Sequence, residues 1–382
     1  MSEELNNLPP IRSAAEIDAE ELEQYWLDPS KDYPEPHYMY EYNGVGFSPL
    51  GGIQAISGQK KNGKTFVLAQ LMAVALGAGK ERVEKYLPGL TTRQDTIKWL
   101  GHEPRILYCD TEMEQLNTAK VLRRVHWLCD LNMRTSDDRF NVLWLREVPK
   151  SDTQTSNKER WRLIKKAIEQ KDPNLVFIDG LRDLVDDFND NKESSEIVGE
   201  MMSIASQRGI CIWNVLHMNP RPGNDDESKM RGHLGTELGN KVSDTFASFK
   251  RKDPKTGLVT FVVKQMDARG KDIDDWTFEV VDDAGGLGIP KIIEGKQPDE
   301  TEAKGDTPEN ILRWINEAMV TYDWPMSRKQ FKEKVFGEIG GQRNHGIQDI
   351  DLQIAFNLNW IEESTIKKGG AYMIQPIQNL PF

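Results

Sequence analysis

The chain has 382 residues, and its 49 Lys plus Arg against 61 Asp plus Glu leave a net charge of −12. A length of this order allows two or three domains and a core large enough to need no disulfide or metal staple. The acidic balance excludes a protein that coats nucleic acid with its whole surface, although a local basic channel is compatible with it.

Residues 1–45 are acidic and then aromatic, and they read as an N-terminal arm. Ala14–Trp26 has a helical pattern, Tyr33-Pro34-Glu35-Pro36 breaks it, and three tyrosines gather over Tyr38–Tyr42. Such an arm lies against the main domain or a neighbouring subunit, or packs locally as a leader. Met1–Pro10 shows no signal pattern, and no run of about 18 apolar residues occurs. The three cysteines, Cys109, Cys129 and Cys211, match no metal spacing. Together these features predict a soluble, cytoplasmic chain with reduced thiols and no membrane partner.

Residues 46–290 read as one α/β domain in which strands and helices alternate. The strands are Gly52–Ser57, Arg105–Cys109, Val142–Leu145, Leu175–Ile178 and Ile210–Leu216. The helices between them are Phe66–Ala78, Glu114–Asp130, Glu159–Gln170 and Ser195–Arg208. Val259–Val263 and Trp276–Val281 suggest a hairpin at the sheet edge. The alternation predicts a mostly parallel sheet with helices on both faces. A stretch rich in Gly, Pro and charge from about residue 283 supplies a linker over 291–306. Residues 307–382 read as a separate small domain. Helices Pro308–Val320, Ser327–Phe336 and Ile347–Leu358 precede two strands that frame Lys367-Lys368-Gly369-Gly370, the outline of a winged helix.

Gly58-Gln59-Lys60-Lys61-Asn62-Gly63-Lys64-Thr65 fits GxxxxGK[ST] at every fixed position. It follows an apolar strand and opens a helix at Phe66, which is the context a phosphate loop needs. The glycines let backbone N–H groups turn toward phosphate oxygens. Lys64 brings charge to the β- and γ-phosphates, and Thr65 offers a hydroxyl to Mg²⁺. Leu175-Val176-Phe177-Ile178-Asp179 is an apolar run ending in a carboxylate that would hold Mg²⁺ through water. ATP and Mg²⁺ are therefore the expected ligands.

Further downstream, Ile106–Cys109 delivers Asp110, Glu112 and Glu114 at its end, and Cys211–Leu216 ends in His217. Acids there also suit a helix N-terminus through its dipole. The order resembles that of RecA-like ATPases, and more narrowly the RepA/DnaB-type hexameric replicative helicases of plasmids, phages and mobile elements. The resemblance spans roughly residues 46–282 and implies a RecA-like core. It implies Glu112 as the catalytic base, with Glu114 and Asp110 as alternatives, and His217 as a γ-phosphate sensor. It also implies that the loop after His217 faces single-stranded DNA, with Arg231 reaching nucleotide or DNA. Such rings carry a Lys and an Arg two apart that act on the next subunit's ATP. Here Lys264 and Arg269 are five apart; Arg269 is the first choice and Lys264 the second. The expected function is a hexameric ATP-driven motor on single-stranded DNA, working with replication or mobilisation proteins. The alternative is an ATP-gated DNA-binding, regulatory or recombination ATPase without unwinding activity.

Overall fold

A computed structural model describes residues 26–33, 35–218, 230, 232–253, 256–293, 306–341, 345–368 and 371–377. The helix expected over Ala14–Trp26 lies outside the described residues except for Trp26. Residues 1–37 form a first unit, in which Asp28 ties a turn by accepting from the Ser30 amide at 2.9 Å.

The second unit begins at Tyr38. Strands β1 (Tyr38–Tyr42) and β2 (Val45–Pro49) form a hairpin, joined by β4 (Leu90–Thr92). The tyrosines assigned to the arm are therefore strand residues. The arm ends before Tyr38 and not at 45, because Met39, Tyr40 and Phe47 are fully buried.

The main sheet has nine strands. Six are parallel neighbours: β3 (Ile53–Gly58), β5 (Ile106–Asp110), β6 (Phe140–Trp144), β7 (Leu175–Asp179), β8 (Cys211–His217) and β9 (Asp244–Lys252). Three antiparallel strands extend it: β10 (Val259–Ala268), β11 (Trp276–Val281) and β12 (Ile289–Ile292). The order is β12-β11-β10-β9-β3-β8-β7-β5-β6, so β8 separates the phosphate-loop strand from the strand ending in Asp179. This is the mostly parallel α/β sheet, with helices on both faces, that the alternation in the sequence predicts. Five of its strands, β3, β5, β7, β8 and β11, follow the sequence reading to within one residue at each end. The expected hairpin pairs as β10 with β11, but it is not the edge. Ile289 and Ile292, placed at the start of the linker, are buried and supply the outermost strand instead.

Alternation along the strands sorts the core into two faces. Tyr108 and Phe177 point into one cluster with α1 (Lys64–Leu76) and α4 (Gln115–Leu128). Leu107, Val176 and Ile178 point into the other, beneath α5 (Ser156–Lys171), α6 (Asn191–Arg208) and α7 (Gly232–Lys241). Helix α1 has no polar face, because sheet and helices enclose it on every side. Two short helices, α2 (Glu81–Tyr86) and α3 (Gln94–Leu100), flank β4. Asp244 fastens the hairpin to the sheet: it accepts from the Ser48 amide at 2.8 Å and from Gln265 Nε2 at 3.0 Å. Burial pushes its carboxyl up to about 6.

Residues 307–377 carry their own core around Ile311, Ile315, Phe331 and Ile374. Helix α8 (Pro308–Thr321) is capped by Thr307. Helix α9 (Arg328–Phe331) opens with a Ser327–Gln330 capping box and continues as a π-helix over Lys332–Ile339. Helix α10 (His345–Asn357) precedes the hairpin of β13 (Ile361–Lys368) and β14 (Ala371–Pro376). No helix among the described residues is long and apolar enough to cross a membrane.

Candidate active site

The phosphate loop joins β3 to α1. Gly63 caps the helix at φ 84°. A Cβ there would meet the Phe261 ring at 2.6 Å, and one on Gly58 would meet the Ser248 carbonyl at 2.7 Å. The loop therefore rests on β9 and β10, and both glycines are required by close approach as well as by turning. Lys60 and Lys61 are exposed. The Phe66 ring stacks toward Phe261 and Phe278 with the Arg124 guanidinium over it, so its side chain serves packing.

Lys64 is buried, and its three N–H groups have three acceptors: Gly58 O at 3.0 Å, Gln59 O at 2.9 Å and His217 Nδ1 at 3.3 Å. An ammonium only donates, so Nδ1 accepts and the proton of a neutral His217 sits on Nε2. That nitrogen faces Glu112 Oε1 at 3.4 Å. One line thus runs from Glu112 through His217 to Lys64. The hydrogen bond from His217, helped by the charges of Lys64 and Lys60, holds the Glu112 carboxyl below its ordinary value against the opposing effect of burial. Burial lowers the Lys64 ammonium, while Asp179 and Glu112 pull it back up.

Asp179 stands at the end of β7 and accepts from Thr65 Oγ1 at 3.0 Å and Tyr108 Oη at 3.2 Å. Burial, helped by Asp110 and Glu112, pushes its carboxyl up to about 7. The structure separates the three acids after β5. Asp110 is turned inward and accepts from the Glu112 and Met113 amides and from Thr118 Oγ1 at 2.6 Å, so it ties the turn into α4. Glu114 points outward toward Arg146 at 3.6 Å. Glu112 alone of the three lies beside Lys64 and His217.

Sequence reading missed the floor under Glu112. The Thr111 hydroxyl accepts from the Gly180 amide at 2.9 Å and lies 2.9 Å from the Gly180 carbonyl and 3.1 Å from Asp183 Oδ2. A Cβ on Gly180 would come within 3.0 Å of Glu112 Cδ. No signal in the sequence could have found it, because β5 and β7 pair with Asp110 beside Asp179 and the residues after each meet only through that register. The remaining candidates lie elsewhere. Lys264 reaches Asp275 at 3.8 Å, and the exposed Arg269 reaches the Lys241 carbonyl at 3.3 Å. Arg231 falls outside the described residues.

A family model described as an AAA domain matches residues 21–220, just over half of the chain and including Lys64, Glu112, Asp179 and His217. The chain belongs to this AAA-domain family. The family is one of P-loop ATPases, which agrees with the phosphate loop and the acids around it. A search of curated proteins finds no match. Among solved structures, a KaiC-like protein of the hyperthermophilic archaeon Pyrococcus horikoshii aligns over 68% of this AAA-domain chain and 100% of its own, with 11% identity and a TM-score of 0.45. Thr65 at the start of α1 and Asp179 at the end of β7 also suit the family's Mg²⁺. Thr65 and Asp179 are hard oxygen donors in contact, and a cation would favour the ionised form of a carboxyl that burial has raised. Among the described residues no group of three or more His, Cys, Asp or Glu could hold a metal ion.

Proposed function

We propose that this chain is an ATP-hydrolysing motor on single-stranded DNA, working as a hexameric ring of the RepA/DnaB-type replicative helicases. The observation that carries the reading is the line Glu112–His217–Lys64. Lys64 and the loop amides hold the phosphates. Glu112, ionised at neutral pH, accepts a proton from the attacking water. Mg²⁺, when bound, neutralises charge on the β- and γ-phosphates. His217 touches both groups and is the last residue of β8, so a change at the phosphates reaches the segment 219–231 that follows. That segment, with Arg231, would face DNA. Arg269, at the end of β10, and Lys264 would reach a neighbour's nucleotide.

Three helices and a hairpin over residues 307–377 support reading this part as a winged helix. Helix α10 carries no Lys or Arg, and its Asp349 binds Lys332 at 2.6 Å. A face so poor in cations suits a replication or mobilisation protein better than duplex DNA. The test is the oligomer formed with a slowly hydrolysed ATP analogue and single-stranded DNA, together with ATPase rates. Rings and DNA-stimulated turnover support the motor. A monomer with DNA-independent hydrolysis sinks it.

One observation favours the alternative, an ATP-gated DNA-binding or recombination ATPase. Lys264 is engaged within its own chain by Asp275, and its spacing from Arg269 departs from the paired finger. Hydrolysis without strand displacement, with filaments or duplex footprints in place of rings, would favour that reading.

A further inference from the structure

A cleft of about 610 Å³ opens where α7 lies over the start of β9 and the end of β10. Its size is that of an ordinary small-ligand site. Met218, Met230 and Met266 line it. Thioethers on flexible stems adapt to a flat ring and make favourable sulfur–aromatic contacts. Thr245 lines it too, and its hydroxyl is buried without a hydrogen-bond partner. Leaving such a group unpaired is costly, and the polar edge of a ligand would supply the partner. Asp267 and Arg269 also line the cleft, and both are exposed. The Asp267 carboxylate accepts from an exocyclic amine.

We propose that this cleft takes one unstacked nucleobase. The proposal rests on the reading of the protein as a single-strand motor and gives that reading a base-sized site. The position suits it. Met218 follows His217 directly, and its amide donates to the Gly58 carbonyl at 3.2 Å. Met218 and Met230 also bracket residues 219–229, the segment expected to face the strand. A base held here sits one residue from the nucleotide machinery. Backbone contacts alone would hold a strand regardless of its bases; this cleft makes the bases matter.

The test uses the full-length protein with a saturating, slowly hydrolysed ATP analogue. Fluorescence anisotropy compares a labelled oligocytidylate with a strand of the same length built from abasic sites. The intact strand should bind about tenfold more tightly. Thr236→Trp, which fills the cleft from its exposed rim, should lower the intact strand to the abasic affinity, and so should Thr245→Val. Basal ATPase should stay unchanged in both. Equal binding of the two strands by the wild type overturns the base site and leaves the motor reading standing. Binding of neither strand, with a fluorescent nucleoside monophosphate bound by the wild type and not by Thr236→Trp, keeps the base chemistry and sinks the motor reading. Loss of the oligomer in Thr236→Trp, with the base preference intact, overturns the proposal and assigns the cleft to a second copy of the chain.

Discussion

Gly180→Ala tests whether Glu112 is placed by the floor beneath it. Gly180 has φ −125° and ψ 143°, an extended conformation that alanine adopts without strain. The effect must therefore come from the added methyl. Its carbon would sit 3.0 Å from Glu112 Cδ and closer still to Oε1, where ordinary contact begins at 3.4 Å. Relief requires the carboxylate to retreat by about an ångström, and a misplacement of that size costs about 10²-fold in rate. That is roughly 2.7 kcal/mol of barrier. Lys64 and the loop glycines are untouched, so nucleotide affinity should hold. Steady-state ATPase and titration with a fluorescent ATP analogue separate the two. In a Glu112→Gln background the methyl should add nothing further, because the group it displaces no longer acts. Wild-type turnover in Gly180→Ala, or an undiminished effect in the double variant, would refute the reasoning.

Three other outcomes follow from the same geometry. Lys64→Ala should abolish nucleotide binding, whereas Glu112→Gln should bind nucleotide and stop turnover; full turnover in Glu112→Gln would pass the role to another acid. Asp179 carries a carboxyl near 7 in the native chain against 3.8 in the ordinary state, so the folded protein keeps a proton that the unfolded chain has lost. Its contribution to stability therefore declines as pH rises through that window. Asp179→Asn should flatten the pH dependence of melting and raise Tm above that of the wild type beyond about pH 7, while crippling Mg²⁺-dependent hydrolysis; a steeper dependence would contradict this. Ser327→Ala should cost about 1 kcal/mol in the stability of residues 307–377, read by denaturant unfolding, through loss of the capping box.

The legible parts of the site are those written in one stretch of chain. The phosphate loop needs its residues at fixed spacing, and β7 announces Asp179 by a run of apolar residues. Glu112 could be picked from three acids by resemblance, but only the packing distinguishes it. Asp110 and Glu114 are chemically equivalent to it until the turn into α4 buries one and exposes the other. Thr111 and Gly180 meet across two strands, so their relation exists only after β5 and β7 pair. Strand β9 went unread because its buried Phe246 and Phe249 are interrupted by Ser248 and followed by three basic residues, a mixed pattern. Strand β12 is not legible in the sequence because its four residues include Pro290 and follow a glycine-rich run, which by composition resembles a linker.

The hairpin of β1 and β2 has a consequence for synthesis on the ribosome. Phe47 packs against Phe246 at 5.5 Å and Trp276 at 6.5 Å, and the Ser48 amide is held by Asp244 from 196 positions away. These partners emerge from the ribosome long after the hairpin does. The first strands of the unit therefore wait, with Met39, Tyr40 and Phe47 uncovered, until β9 and β11 have been made. Folding of this unit cannot proceed piece by piece from its first strand. A chain that stalls before Trp276 would present a sticky hairpin, and ribosome-bound intermediates of that length should be the ones that need chaperones most.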